Sequence, residues 1–251
     1  MISDLHVCAV RLSRELPRES YLNGLPVVRN LKRMGMLRFR SPVTFFVGEN
    51  GIGKSTLIEA IAVNMGFNPE GGSINFSFST ENSHSELYDY ISVGKGISRR
   101  RDGFFLRAES FYNVASNIDQ MDRSPGMGGR IIDSYGGKSL HKQSHGESFM
   151  SLVENRFGGN GIYILDEPEA ALSPSKMLEL MLHMNRLVKN NSQFLISTHS
   201  PILMAYPGAE VFLLTQEGIQ SVDYRETEHF QLTRQFLNAP EAMFRHLFEE
   251  E

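Results

Sequence analysis

"FFVGENGIGKSTLIEAIA", Phe45 to Ala62, passes from an apolar strand through glycines into a Lys-Ser-Thr and then a helix-forming run. Inside it, "GENGIGKS" (Gly48 to Ser55) satisfies the spacing G-x-x-x-x-G-K-[ST], in the strand-loop-helix setting that gives this spacing its meaning. Backbone N–H groups must curl around phosphate oxygens there, and a Cβ would obstruct them, so glycines recur. A helix beginning near Lys54 aims its first N–H groups at the same anion. The predicted phosphate-binding residues are Gly48, Glu49, Asn50, Gly51, Ile52, Gly53, Lys54, Ser55 and Thr56. Lys54 is expected to bridge the β- and γ-phosphate oxygens and to act in catalysis, and Ser55 to ligate Mg²⁺.

A second apolar strand, "IYILDEP", ends in the acid pair Asp166-Glu167. A strand of this kind delivers its carboxylates to the C-terminal edge of a sheet. Asp166 is the predicted Mg²⁺ ligand and Glu167 the predicted general base for water.

Around these two segments the 251 residues read as strands alternating with helices, which argues for a parallel sheet covered on both faces. "LHVCAVRLS", "MLRFRSP", "VTFFVG", "GFFLRAESF", "GIYILDEP", "QFLISTHS" and "EVFLLT" are the predicted strands. Helices are expected over 54–65, from about Glu147 to Phe157, and over 174–190. "YLNGLPVVRNL" reads as a turn-rich connector, and residues 119–143 as a long irregular loop.

No linker long enough to divide the chain is visible, so 1–251 is read as one domain. Its parts are an N-terminal β lobe beginning in 1–45, the phosphate loop and helix in 46–66 and a β insertion in 67–112. A signature lobe in 113–160, a strand core in 161–222 and a helical tail in 223–251 follow.

Hydrophobic residues make up 41% of the chain, enough for a sizeable core, and the net charge of −4 does not announce a nucleic-acid partner. The lone Cys8 excludes an intramolecular disulfide and reads as a small core residue. With no signal peptide and no run of about 18 apolar residues, the expectation is a cytoplasmic chain with no integral membrane segment. "SRRRDG" (98–103) is read as a solvated turn, with phosphate contact as its alternative.

Three further pieces narrow the family. "QSHGESF" precedes the acid pair and opens a helix, "EAALSP" follows it directly, and "ISTHSP" sets His199 at the end of the next strand. In this order the motifs resemble the ABC-type ATPase head, of the SMC/RecF-like kind, and the chain looks like the small single-domain bacterial ATPases that lack coiled-coil arms. The resemblance implies an α/β P-loop fold: a mostly parallel central sheet flanked by helices, an N-terminal antiparallel β lobe and a helical signature lobe.

It also implies ATP and Mg²⁺ as ligands and ATP hydrolysis as the activity. Ser144 and Gly146 match the serine and second glycine of the ABC signature, with His145 where that signature has a glycine. His199 matches the switch histidine at the γ-phosphate. Glu109 falls where the Q-loop glutamine stands and becomes a third candidate around Mg²⁺; a plain helix N-terminal acid is the alternative. Ser144 with Glu147 also fits an ordinary capping box.

The implied assembly is a head-to-tail homodimer formed on ATP binding, switching an unidentified protein effector or nucleic acid, as in DNA maintenance or phage defence. The nucleotide-binding subunit of an ABC transporter is the alternative.

Overall fold

The computed structural model describes residues 5–73, 85–107, 137 and 144–248. Its larger sheet has six strands. In chain order they are β3 (Val43–Val47), β5 (Asp102–Arg107), β6 (Gly161–Asp166), β7 (Gln193–Ser197), β8 (Glu210–Leu214) and β9 (Ile219–Val222). The spatial order is β5-β6-β7-β3-β8-β9, parallel except for the antiparallel edge strand β9. A second, antiparallel sheet is ordered β2-β1-β4, from β1 (Val7–Leu12), β2 (Leu37–Arg38) and β4 (Ile91–Lys95). This is the α/β architecture with an antiparallel β lobe that the sequence predicts.

β3 is buried along its whole length, and so are β6 and β7. Successive side chains leave a strand on opposite faces, so an unbroken apolar run needs cover on both. One face carries Phe45, Val47, Leu165, Phe194 and Ile196 into a core with α4 (His145–Arg156) and α5 (Pro174–Lys189). The other carries Phe46, Ile164, Leu195 and Phe212 against α1 (Pro26–Met34) and α2 (Lys54–Asn64). Three phenylalanine rings, Phe39, Phe46 and Phe212, meet there with centroids 6.1 to 6.2 Å apart.

The supposed connector "YLNGLPVVRNL" is helical instead. A 3-10 turn spans Tyr21–Gly24 and α1 follows. Pro26 takes the first helical position, where its missing N–H costs nothing, and Gly35 closes the helix at φ 76°. Val27, Val28 and Leu31 are the buried stripe. The Asn, Gly and Pro that suggested turns mark the helix start.

α2 forms over the predicted span and is enclosed nearly all round: Lys54, Leu57, Ile58, Glu59, Ala60, Ile61 and Ala62 are all buried. α3 (Leu87–Tyr90) and α6 (Pro201–Met204) are single turns. The C-terminal segment forms α7 (Glu228–Asn238) and α8 (Pro240–Phe248), whose Leu237, Leu247 and Phe248 are exposed. Cys8 is only half-buried. Arg100 of "SRRRDG" turns inward: Nη2 donates to the Met65 carbonyl and the guanidinium lies over the Phe67 ring. Among the described residues no helix is long and apolar enough to cross a membrane.

The register places the site. Arg107 pairs with Asp166, Asp166 with Ser197, and Ser197 with Phe46, so four parallel strands end level at one edge.

Candidate functional site

The loop leaving β3 at this edge is built on glycines with left-handed backbone. Gly51 sits at φ 80° and Gly53 at φ 99°, and a Cβ on Gly53 would lie 2.5 Å from Val27 Cγ1. Gly48 is tighter still: a Cβ there would come within 2.2 Å of the Leu214 carbonyl oxygen. Ile52 is buried and its carbonyl accepts from Val27 N–H at 3.1 Å, which pins the loop to α1. Gly53 is the N-cap of α2, so the helix N-terminus opens onto the loop.

Lys54 folds back over the loop. Its Nζ donates to the Gly48 carbonyl at 2.7 Å and the Glu49 carbonyl at 2.9 Å. Burial lowers its pKa, opposed by the Glu167, Asp166 and Glu169 carboxylates.

Ser55 Oγ donates to Asp166 Oδ1 at 3.1 Å, and the Ser197 hydroxyl donates to the same oxygen. Arg107 Nε stands 3.6 Å from Asp166 Oδ2. Burial raises the Asp166 pKa, opposed by the Ser197 hydrogen bond, Arg107 and the Ser55 hydrogen bond. A buried carboxylate in that condition gains from a nearby cation. Asp166 and the Ser55 hydroxyl are a hard, all-oxygen donor set that suits Mg²⁺, and the glycine cradle at the α2 N-terminus suits phosphate.

The next residue, Glu167, adopts φ 50° and ψ 54°, a left-handed conformation that costs a non-glycine residue about 1 kcal/mol. Its N–H donates to the Ser197 carbonyl at 3.1 Å, and the chain then enters a 3-10 turn, Pro168–Ala171. The bend leaves Glu167 Oε1 3.5 Å from His199 Nε2. That pair is not an ion pair near neutral pH. Burial, then Lys54 and His229, lower the His199 pKa to about 4, so the ring is neutral. His199 Nε2 is buried without a hydrogen-bond partner, an orphaned polar atom beside the carboxylate.

The structure thus gathers Gly48 to Ser55, Asp166, Glu167 and His199 at one sheet edge. Among the described residues, no hydrogen bond joins Ser144 or Gly146 to them. Ser144 caps α4: its Oγ accepts from Glu147 N–H at 3.3 Å, while its N–H donates to Glu147 Oε2 at 2.9 Å. Gly146 packs beneath the Ala171 carbonyl, 3.1 Å from where a Cβ would stand. Ser173, in the segment after the acid pair, caps α5. Glu109 lies outside the described residues, as does most of the predicted 119–143 loop.

Four residues escaped the sequence reading. Glu169 is half-buried and accepts from His199 N–H, and burial raises its pKa. It stood two positions from Glu167, a readable signal. Ser197 and Arg107 occupy strand ends, where register decides that they meet Asp166. His229, whose Nε2 lies 2.8 Å from His199 Nδ1, comes from α7, and only tertiary structure brings it there.

Residues 28–124 match the family model described as "AAA domain", and residues 142–205 the one described as "AAA domain, putative AbiEii toxin, Type IV TA system". The chain is similar to an uncharacterized ABC transporter ATP-binding protein of Haemophilus influenzae, at 24% identity over 80% of this chain and 81% of that one. It is also similar to the guanosine import ATP-binding protein NupO of Bacillus subtilis, at 28% identity over 74% of this chain; the match spans 39% of that relative's length. Among solved structures, the SMC head domain from Thermotoga maritima aligns over 87% of this chain and 99% of that one, with 17% identity and a TM-score of 0.41. Matches to AAA-domain families over both segments that form the site, and the motif order that the fold gathers at one edge, support an ATPase head of the ABC/SMC-like kind that hydrolyses ATP.

Proposed function

We propose that the chain binds ATP-Mg²⁺ at a head-to-tail homodimer interface and hydrolyses it to switch a partner. The observation that carries this reading is a division of parts. The phosphate loop, Asp166, Glu167 and the unpartnered His199 Nε2 converge at one edge, whereas Ser144 is exposed and makes its hydrogen bonds within α4. A serine at the start of α4, at the positive end of the helix dipole, is an anion clamp awaiting a phosphate that its own chain does not present.

The chemistry follows from the residues. The loop N–H groups and Lys54 hold the β- and γ-phosphates, with Thr56 and the backbone of Glu49, Asn50 and Ile52 completing the cradle. Ser55 and Asp166 hold Mg²⁺, which supplies neutralisation of phosphate charge when bound. Glu167 accepts a hydrogen bond from water and directs it in line at the γ-phosphorus. His199 offers Nε2 to a γ-phosphate oxygen. Ser144 and the Gly146 N–H of the second copy close the site, so ATP bridges two chains and its hydrolysis removes the bridge.

Glu167→Gln should bind ATP without turnover and run as a dimer in light scattering with ATP, while Ser144→Arg should stay monomeric. Monomer in both cases overturns the reading.

The process we infer is DNA maintenance or phage defence. The toxin-antitoxin description of the family model over 142–205 supports the second of these. The transporter names of the relatives favour a different reading, the nucleotide-binding subunit of an importer or exporter. By the resemblance to ABC-type heads, Ser173 falls at the position where transporter subunits carry aspartate, and that weighs against it. Co-purification with a membrane permease would decide for the transporter.

A further inference from the structure

The contact between His199 and His229 lies outside the motif set. His229 enters on the first turn of α7, and three features anchor that turn. Thr227 is fully buried and caps the helix, its Oγ1 accepting from Phe230 N–H at 3.4 Å. The same hydroxyl donates to the Tyr224 carbonyl at 2.6 Å and meets Met204 Sδ at 3.3 Å. Tyr224 and Phe230 pack edge to face with centroids 5.1 Å apart. Met204 ends the short helix α6 that begins just after His199, so one hydroxyl ties the end of that helix to the start of α7. Beyond this turn α7 carries exposed Leu232 and Leu237, so the helix is fastened at the end that holds His229.

A nitrogen–nitrogen contact of 2.8 Å needs one proton between the two atoms. Burial holds both rings toward the neutral form, with Lys54 acting on each in the same direction. Each neutral ring carries a single N–H, so the bond couples the tautomers. If His229 Nε2 donates, His199 Nδ1 accepts and His199 keeps its proton on Nε2. In the reverse arrangement His199 Nε2 presents a lone pair to the Glu167 carboxylate and to a phosphate oxygen, both acceptors. Besides His199, the charges that act on the His229 ring are Lys54 from α2, which disfavours its cation, and Glu228 from its own helix and Glu49 from the phosphate loop, which favour it.

We propose that His229 is a positioning residue for hydrolysis: it donates to His199 Nδ1 and so fixes the tautomer and ring orientation that turn an Nε2–H toward the γ-phosphate. This rests on the reading of His199 given above. It also makes the C-terminal tail part of the catalytic apparatus, since residues before Tyr224 do not contain a complete site.

The test uses the full chain, phosphate release from ATP and binding of a fluorescent ATP analogue. Loss of a partner that orients a functional histidine costs about 10- to 100-fold. His229→Ala should therefore lower kcat by at least about tenfold, with KM and analogue affinity changed less than about twofold. His229→Gln, whose Nε2–H occupies the place of the imidazole donor, should recover most of the rate. His199→Ala and the double variant His199→Ala/His229→Ala should be equally slow, because the second residue acts through the first. Wild-type kcat in His229→Ala with a slow His199→Ala, no rescue by Gln, or an additive loss in the double variant each overturns the proposal. Wild-type turnover in His199→Ala removes the reading of His199 itself, and the proposal with it.

Discussion

Ser55 Oγ and Asp166 Oδ1 are joined by a 3.1 Å hydrogen bond across 111 residues of sequence. One comes from the first turn of α2 and the other from the last residue of β6. The bond exists because β3 and β6 flank β7 in parallel and end level.

That relationship predicts the effect of Asp166→Asn. Removing a buried charge relieves a desolvation cost, so thermal stability without nucleotide should hold or rise. Mg²⁺-dependent ATP affinity should fall by roughly tenfold or more, about 1.4 kcal/mol. Calorimetry with and without Mg²⁺ reads both. Equal affinity in the two proteins would remove Asp166 from the metal site.

Glu167→Gln should separate binding from chemistry. Loss of a general base costs about 10² to 10⁴ in rate, with the nucleotide still held. Single-turnover hydrolysis measured beside equilibrium binding gives both numbers.

Gly53 and Gly51 should respond differently to alanine. At Gly53 the backbone is left-handed and a Cβ would strike Val27 Cγ1, so Gly53→Ala should cost about 2 kcal/mol or more. At Gly51 nothing lies within 4 Å, leaving only the left-handed strain, about 1 kcal/mol. Adding Val27→Ala should restore part of the Gly53→Ala loss and none of the Gly51→Ala loss, as read by urea midpoints.

Arg107 Nη1 donates to Glu59 Oε2 at 2.6 Å, and the Glu59 side chain is 5% exposed. Arg107→Met removes the cation beside a buried carboxylate and should destabilise by about 3 kcal/mol. Replacing both residues with Met should recover part of that loss, because the Glu59 carboxylate leaves with its partner while Asp166 stays without Arg107. A double variant as unstable as Arg107→Met would argue for packing instead.

The neutral His199 predicts a pH dependence. Its folded pKa, about 4, lies below the ordinary 6.5, so between those values the unfolded chain binds the proton and the folded chain does not. Stability should therefore decline as pH falls from about 6.5 toward 4. Asp166, raised by burial, contributes with the opposite sign, since its folded form takes up a proton more readily. His199→Gln should flatten the acid-side decline in urea midpoints while leaving the Asp166 contribution in place.

Much of the site could be read from the sequence because its pieces are local. A glycine spacing sets the loop and an apolar run ending in two acids sets a strand and its edge; His199 comes only from the resemblance to the ABC-type head, since a single histidine at a strand end carries no such signal. The α1 helix does not stand out in the sequence because Asn, Gly and Pro signal a turn and a helix start alike, and only burial of Val27, Val28 and Leu31 decides between them.

By itself, then, the sequence determined the strand and helix order, the phosphate cradle and which carboxylates end a buried strand. Short-range backbone and solvation preferences suffice for those. Tertiary structure alone decided that Arg107 and Ser197 flank Asp166, that Glu169 holds the His199 backbone and that His229 meets its ring. Those contacts follow from sheet register and from where the C-terminal helix docks, which depend on packing across the whole core and leave no periodic trace along the chain.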